Sequence, residues 1–74
     1  GLGAREEGMR LLRLAALAGD GKAAYQVGVI SLAGTASKAP DPVEAARFWE
    51  IAAKAGHPLA LIRLQELASR ESGL

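Results

Sequence analysis

The feature that most constrains what this chain can fold into is an internal repeat. A shift of 37 positions places the second half of the sequence on the first with many matches. The identical pairs are Glu7 with Glu44, Arg10 with Arg47, Ala15–Ala16 with Ala52–Ala53, Ala18 with Ala55, Gly19 with Gly56, and Ala23 with Ala60. A period of this length is typical of arrays of helical hairpins, in which each unit buries its apolar face against its neighbours. The sequence therefore predicts two copies of one helical hairpin unit.

Apolar side chains follow the same period. The similar pairs are Leu11 with Phe48, Leu12 with Trp49, Leu14 with Ile51, Val27 with Leu64, and Ile30 with Leu67. The identical positions are mostly alanines and turn glycines, because small side chains let helices approach closely and a glycine fixes the turn between them.

Caps and helix-ending residues divide the chain into four helices. Alanine and leucine dominate, and no segment alternates apolar and polar residues for long enough to form a strand. Asp20 and Asp41 are preferred N-cap residues, and Pro42 fits the first helical position. Gly19 and Gly56 favour the left-handed conformation that ends a helix. The predicted helices cover about residues 4–18, 21–33, 42–55 and 58–70, joined by connections at 19–20, 34–41 and 56–57.

Charge spacing agrees with this helical register. Three acidic residues each precede a basic residue by four positions, which on an exposed helix contributes ~0.2–0.5 kcal/mol per pair. The pairs are Glu6 with Arg10, Glu50 with Lys54, and Glu66 with Arg70. They are interpreted as solvated helix faces.

The composition limits the classes of function. Nine basic and eight acidic groups among 74 residues give no general attraction to nucleic acid or to an anionic membrane. No apolar run approaches the ~20 residues that cross a bilayer, so membrane insertion is not expected, and the first residues do not form a secretory signal. Without cysteine, neither a disulfide framework nor a thiolate metal site is expected. The sequence favours no cellular compartment.

Two segments carry a recognisable pattern. The first is Ala23–Ile30, which reads AAYQVGVI and is followed by Gly34. The second is Asp41–Ala60, which reads DPVEAARFWEIAAKAGHPLA. The positions that make up its pattern are, in chain order, Asp41, Ala45, the aromatic pair Phe48–Trp49, the pair Ala52–Ala53, the pair Gly56–His57, and Ala60. Together these segments resemble the Sel1-like repeat, a tetratricopeptide-like family.

The resemblance implies an all-α fold, in which four antiparallel helices form the stacked helical hairpins of a short α-solenoid. It makes residues 1–74 a single domain that consists of a half repeat at 4–19, a full repeat at 22–57 and a half repeat at 58–71. The long 34–41 connection favours this family over plain tetratricopeptide repeats, whose period is ~34 residues.

The chain departs from the family pattern at three places. Ser31 stands where an aromatic residue is usual, and Gln65 replaces the glycine equivalent to Gly28. Leu11–Leu12 takes the place of the aromatic pair in the first half repeat. These departures affect the regularity of the outer helices more than the architecture.

No group of residues predicts catalysis. His57 is the only histidine, and it lies between a helix-ending glycine and a proline, where a structural role explains it. A metal site needs three or four converging ligands, which the scattered carboxylates do not provide. Phe48 and Trp49 lie on the packing side of their helix and are predicted to be core residues. The chain is therefore expected to be non-enzymatic, with no cofactor and no metal.

The resemblance also implies that the first helix of each unit lines a concave inner face. If Ala23, Val27 and Ile30 pack inward, the adjacent stripe of the same helix is set by spacings of four, three and four. The shift of 37 carries this stripe onto the last helix. We call the resulting set the groove stripe: Lys22, Gln26, Val29, Ala33, Leu59, Arg63, Glu66 and Arg70. Its mixed polar and apolar character suits an extended peptide.

The sequence supports two hypotheses for the function. The first is a non-catalytic protein–protein interaction module that docks a peptide or partner domain along the groove stripe. The alternative is a structural segment that self-associates or caps a larger repeat protein, because apolar residues spread around the two outer helices further than one hairpin can cover. These residues are Leu11, Leu12, Leu14 and Leu17 in the first helix, and Leu61, Ile62, Leu64 and Leu67 in the last. The expected partner is accordingly a protein or peptide, a second copy of the chain, or further repeats.

Overall fold

The fold is entirely helical over the part of the chain that the structure describes. The computed structural model describes residues 2–72 and the side chains of residues 3–70, and within this range it contains four α-helices and no strand. The helices are α1 (Leu2–Leu17), α2 (Gly21–Ala33), α3 (Pro42–Lys54) and α4 (Ala60–Ser72). The all-α class predicted from the sequence is confirmed.

The two aspartates act as N-caps, as predicted. Oδ1 of Asp20 accepts the backbone N–H of Ala23 at 3.1 Å, and Oδ1 of Asp41 accepts that of Glu44 at 3.0 Å. Each bond satisfies one of the N–H groups that the start of a helix leaves without an intrahelical partner.

The turns after α1 and α3 have the same hydrogen-bond pattern. Gly19 and Gly56 both take positive φ values, +101° and +90°. The bonds run from Ala18 N to Leu14 O, Gly19 N to Ala16 O and Asp20 N to Ala15 O in the first turn, and from Ala55 N to Ile51 O, Gly56 N to Ala53 O and His57 N to Ala52 O in the second. This is the Schellman pattern of helix ends, and it recurs atom for atom 37 residues apart.

The start of α4 differs from the prediction. The sequence predicted a helix from Pro58, but α4 begins at Ala60, so the prediction was wrong by two residues. The ring Nδ1 of His57 accepts the backbone N–H of Leu59 at 3.2 Å, and this bond holds residues 57–59 in a turn. An α-helical bond then runs from Arg63 N to Leu59 O at 3.1 Å.

The helices pack mainly against their neighbours in sequence. The interface between α2 and α3 is the largest, and α1 also contacts α3. One buried cluster joins α1, α2 and α3 and contains Ala16, Ala23, Ala24, Val27, Phe48 and Ala52, with Ala60 from α4. A second joins α3 to α4 and contains Ala45, Trp49 and Leu67. The predicted core positions of Phe48 and Trp49 are therefore confirmed.

The ion pairs differ from those predicted. Among the side chains of residues 3–70 the pairs are Glu7 with Arg10, Glu44 with Arg13, and Glu66 with Arg63, and none of the three predicted pairs at a spacing of four is formed. Positions three apart are also neighbours on a helix. Because Arg10 pairs with Glu7 and Glu66 pairs with Arg63, these two residues do not pair with the residues four positions away.

Candidate interaction surface

Tyr25 connects α2 to α4 on the side of the molecule where the groove stripe lies. The side-chain Nε–H of Arg63 on α4 donates to the Tyr25 hydroxyl at 3.1 Å. The ring of His57 stacks on the Tyr25 ring with centroids 4.2 Å apart and planes 8° apart. One half-buried aromatic side chain thus links the middle of α2, the turn before α4 and the first turns of α4.

The backbone of Tyr25 is held from the opposite side by α3. The indole N–H of Trp49 donates to the carbonyl oxygen of Tyr25 at 3.1 Å. The indole reaches this carbonyl because it lies against Gly28, one turn further along α2. A side chain at position 28 would occupy the space of the ring, which gives the glycine in the AAYQVGVI segment a packing role.

Arg63 is the charged centre of this surface. Its Nη1 donates to Oε1 of Glu66 at 3.0 Å, in addition to the bond to Tyr25. The hydrogen bond to Tyr25, and next the one to Glu66, raise the pKa of Arg63 above its ordinary value. A guanidinium has five N–H donors, so donors remain for a further acceptor.

The structure brings together only part of the groove stripe. Arg63 and Glu66 form an ion pair, and Arg63 is the one half-buried member of the set. The other seven members are exposed or lie at the edge of the surface: Lys22, Gln26, Val29, Ala33, Leu59, Glu66 and Arg70. Tyr25 was not included in the groove stripe, although it adjoins Gln26 in the sequence. His57 was assigned a structural role in its turn, but its contact with Tyr25 was not predicted.

A shallow cavity of about 580 Å³ lies on α4 and is lined by two members of the groove stripe, Glu66 and Arg70. Its other lining residues are Ile62, Gln65 and Ser69. The groove stripe residues of α2 do not line it.

A larger open cavity lies elsewhere, and no member of the groove stripe lines it. It measures about 890 Å³ and is bounded by α1, the end of α2, the 34–41 connection and the start of α3. Its lining includes Arg5, Met9, Arg13, Ile30, Lys38 and Glu44. The sequence did not predict this cavity, because its position depends on how the long 34–41 connection folds.

The wall of this larger cavity is a hydrogen-bonded ion pair between α1 and α3. The guanidinium of Arg13 contacts both carboxylate oxygens of Glu44, with Nη2 to Oε2 at 3.2 Å. The hydroxyl of Ser31 on α2 donates to the same Oε2 at 2.9 Å. The pKa of Glu44 is lowered, chiefly by the hydrogen bond from Arg13 and also by the one from Ser31. The side chain of Ser31 is buried, and its bond to the Glu44 carboxylate links α2 to the ion pair that joins α1 and α3.

The described residues include no group of three or more histidine, cysteine, aspartate or glutamate side chains placed to hold a metal ion. Within the same residues, every helix is too short or too polar to cross a bilayer. A comparison with protein-family models, curated proteins and solved structures finds no match for this chain.

Proposed function

We propose that this chain is a non-catalytic protein–protein interaction module, a short α-solenoid of the Sel1-like type, that binds an extended peptide segment along the groove stripe. The observation that carries the proposal is the hydrogen bond from Arg63 to Tyr25, because it links a groove stripe side chain of α4 directly to the residue beside Gln26 on α2. A peptide laid across both helices would meet side-chain donors from each of them, which is how extended segments are held by repeat surfaces.

The solenoid part of the proposal is supported by the order of contacts between α2 and α3. Tyr25 of α2 bonds to Trp49 of α3. Ser31, which lies further along α2, bonds to Glu44, which lies closer to the start of α3. Contacts that run in opposite directions along two helices are those of an antiparallel hairpin. The matching turns after α1 and α3 support a repeated unit.

The non-catalytic part is supported by the environment of His57. Its Nδ1 accepts a backbone N–H, and its ring face lies on Tyr25. Both contacts fix the imidazole as part of the turn before α4, which is a structural role and not a catalytic one.

The charge of the groove stripe specifies the partner. Three of its members are cationic, Lys22, Arg63 and Arg70, and Glu66 is the one acid. Arg63 neutralises Glu66 and still offers donors. The complementary partner is therefore a peptide segment that carries carboxylates, since opposite potentials steer association and set specificity.

The test is a selection of extended peptides from a displayed random library on the purified chain, followed by titration of the best binder into isotopically labelled protein. We expect the selected peptides to be rich in aspartate and glutamate. We expect chemical-shift changes at Gln26, Val29, Arg63 and Glu66. Shifts confined to the larger cavity or to the chain termini would rule out the groove stripe as the binding surface.

A pair of arginine variants provides the matched control. Arg63→Gln removes a charge and a donor from the groove stripe and should weaken binding of the selected peptide, most clearly at low salt, because exposed charges are screened at high salt. Arg47→Gln removes an exposed arginine from α3, outside the groove stripe, and should leave binding unchanged. Equal effects of the two variants would show that only net charge matters.

A further inference from the structure

The two outer helices expose large apolar side chains. On α1, Leu11 is 55% exposed, and on α4, Leu61 is 57% and Ile62 is 47% exposed. None of these belongs to the groove stripe. Ile62 lies beside the groove stripe, because it lines the α4 cavity with Glu66 and Arg70. Leu11 and Leu61 line neither cavity, so a partner that covers these two residues is open to an independent test.

Leu11 and Leu61 are the repeat equivalents of two buried residues, Phe48 and Ala24. Phe48 is 7% exposed and shares a buried cluster with Ala24 and Val27 of α2, both at 0%. A shift of 37 residues turns Phe48 into Leu11, which is exposed on α1. The same shift carries the α2 partners Ala24 and Val27 onto α4, where the equivalent residues are Leu61 and Leu64.

We propose that α1 of one copy of this chain docks on α4 of a second copy, in the arrangement by which α3 docks on α2 within one copy. Leu11 of the first copy would then contact Leu61 and Leu64 of the second. The interface joins two different surfaces, so each end of the pair retains one free face and association proceeds head to tail.

Side-chain size argues that the occupant is a second copy. Inside the chain, Gly28 of α2 lies against Trp49 of α3, and Ala24 of α2 shares a buried cluster with Phe48 of α3. The equivalent pairs between copies would be Gln65 with Leu12 and Leu61 with Leu11. Where the residue on one helix has become larger, the residue facing it has become smaller. The changes in side-chain size on the two helices thus run in opposite directions, as a close-packed contact requires.

Charge makes this contact weaker than the internal one. Within the chain, Arg13 on α1 pairs with Glu44 on α3. The equivalent positions across two copies are Glu50 of one and Glu7 of the next, which are like charges. Glu7 is partly neutralised by Arg10 in its own helix. We therefore expect a reversible association that depends on concentration and is strengthened by Glu50→Arg, which restores the opposite sign.

Disulfide trapping tests the geometry directly, because the chain has no cysteine of its own. Leu11→Cys and Leu61→Cys are prepared as separate single variants, mixed under mild oxidation and analysed on non-reducing gels. We expect the mixture to give the 11-to-61 dimer far faster than either variant gives a dimer alone. Equal or faster self-dimers of one variant would overturn the head-to-tail arrangement in favour of a symmetric contact.

Sedimentation velocity over a range of concentrations tests the energetics. We expect the wild-type chain to associate, and Leu11→Glu or Leu61→Glu to weaken association by about tenfold or more, since each buries a charge in place of a leucine. Leu17→Glu is the matched control: Leu17 is 67% exposed, but its equivalent is the exposed Lys54, so association should be unchanged. Circular dichroism verifies that each variant is helical. A wild-type chain that stays monomeric at every concentration, or a Leu17→Glu variant as weak as Leu11→Glu, would overturn the proposal.

Discussion

The indole ring of Trp49 lies directly against the backbone of Gly28, where a Cβ would come within 2.8 Å of its Cε2 atom and closer still to its Nε1 and Cδ1 atoms. Trp49 is 2% exposed and is among the largest buried side chains of the core. Because the ring also donates its N–H to Tyr25, it is fixed at two points on α2. The α2–α3 interface therefore depends on the absence of a side chain at position 28.

Gly28→Ala should destabilise the protein although alanine is the better helix former. The added methyl group must displace the indole, and overpacking of this kind costs about 1–3 kcal/mol of the free energy of unfolding. Gly8→Ala on α1 is the control, since a Cβ there meets nothing within 4 Å. It should raise the free energy of unfolding by about 0.5–1 kcal/mol. Urea denaturation of the two variants measures both signs, and a stabilised Gly28→Ala would contradict the packing described.

Removal of the Glu44 charge should lower stability at neutral pH and remove part of its pH dependence. The pKa of Glu44 is lowered in the folded state, so its contribution is present above the unfolded pKa of about 4.3 and is lost as pH falls through the folded value. For Glu44→Gln we expect the free energy of unfolding to fall by about 1 kcal/mol at pH 7, a figure reduced for solvent screening. The difference from the wild type should become smaller in acid. The matched control is Glu6→Gln on α1, which is exposed and outside the described ion pairs.

Loss of the Tyr25 hydroxyl should loosen the attachment of α4 to α2. Tyr25→Phe keeps the ring that stacks on His57 but removes the acceptor of the Arg63 Nε–H. We expect faster amide hydrogen exchange in the first turns of α4, with exchange in the α2–α3 interface unchanged, because local opening follows local contacts. An exchange pattern identical to that of the wild type would show that the Tyr25 hydroxyl contributes nothing to the attachment of α4.

The stabilising effect of the two N-caps should depend on the side-chain oxygen that accepts the hydrogen bond and not on its negative charge. Asp20→Ala and Asp41→Ala each remove the acceptor of a backbone N–H and should cost about 1 kcal/mol of the free energy of unfolding. Asn at either position keeps the acceptor and should recover most of that stability. Thermal unfolding followed by circular dichroism distinguishes the two substitutions.

Local features of the sequence predicted the helices well. The caps at Asp20 and Asp41 and the ends at Gly19 and Gly56 depend on residues within a few positions of each other. For the same reason the buried positions of Phe48 and Trp49 could be predicted from helical spacing. The start of α4 was wrong by two residues because a side chain, the His57 ring, binds the backbone and extends the turn.

Features that depend on contacts between distant residues were not predicted. Arg13 and Glu44 lie on different helices, and nothing in the spacing of either indicated the other. The same is true of the larger cavity, whose position depends on how residues 34–41 fold back toward α1. The groove stripe came from helical geometry and the resemblance, but Tyr25, which joins its two halves, was left out because it lies one position from the stripe.

The succession of interfaces, in which each helix packs mainly on the next, has a consequence for how the fold opens. In the proposed α-solenoid, stability is close to a sum of terms between neighbouring helices, so an end helix can detach without disrupting the rest. The α2–α3 pair, held by Trp49 on Gly28, should be the last part to unfold, with α1 and α4 opening earlier and separately. The middle interface, between α2 and α3, is therefore expected to be the most stable of the three.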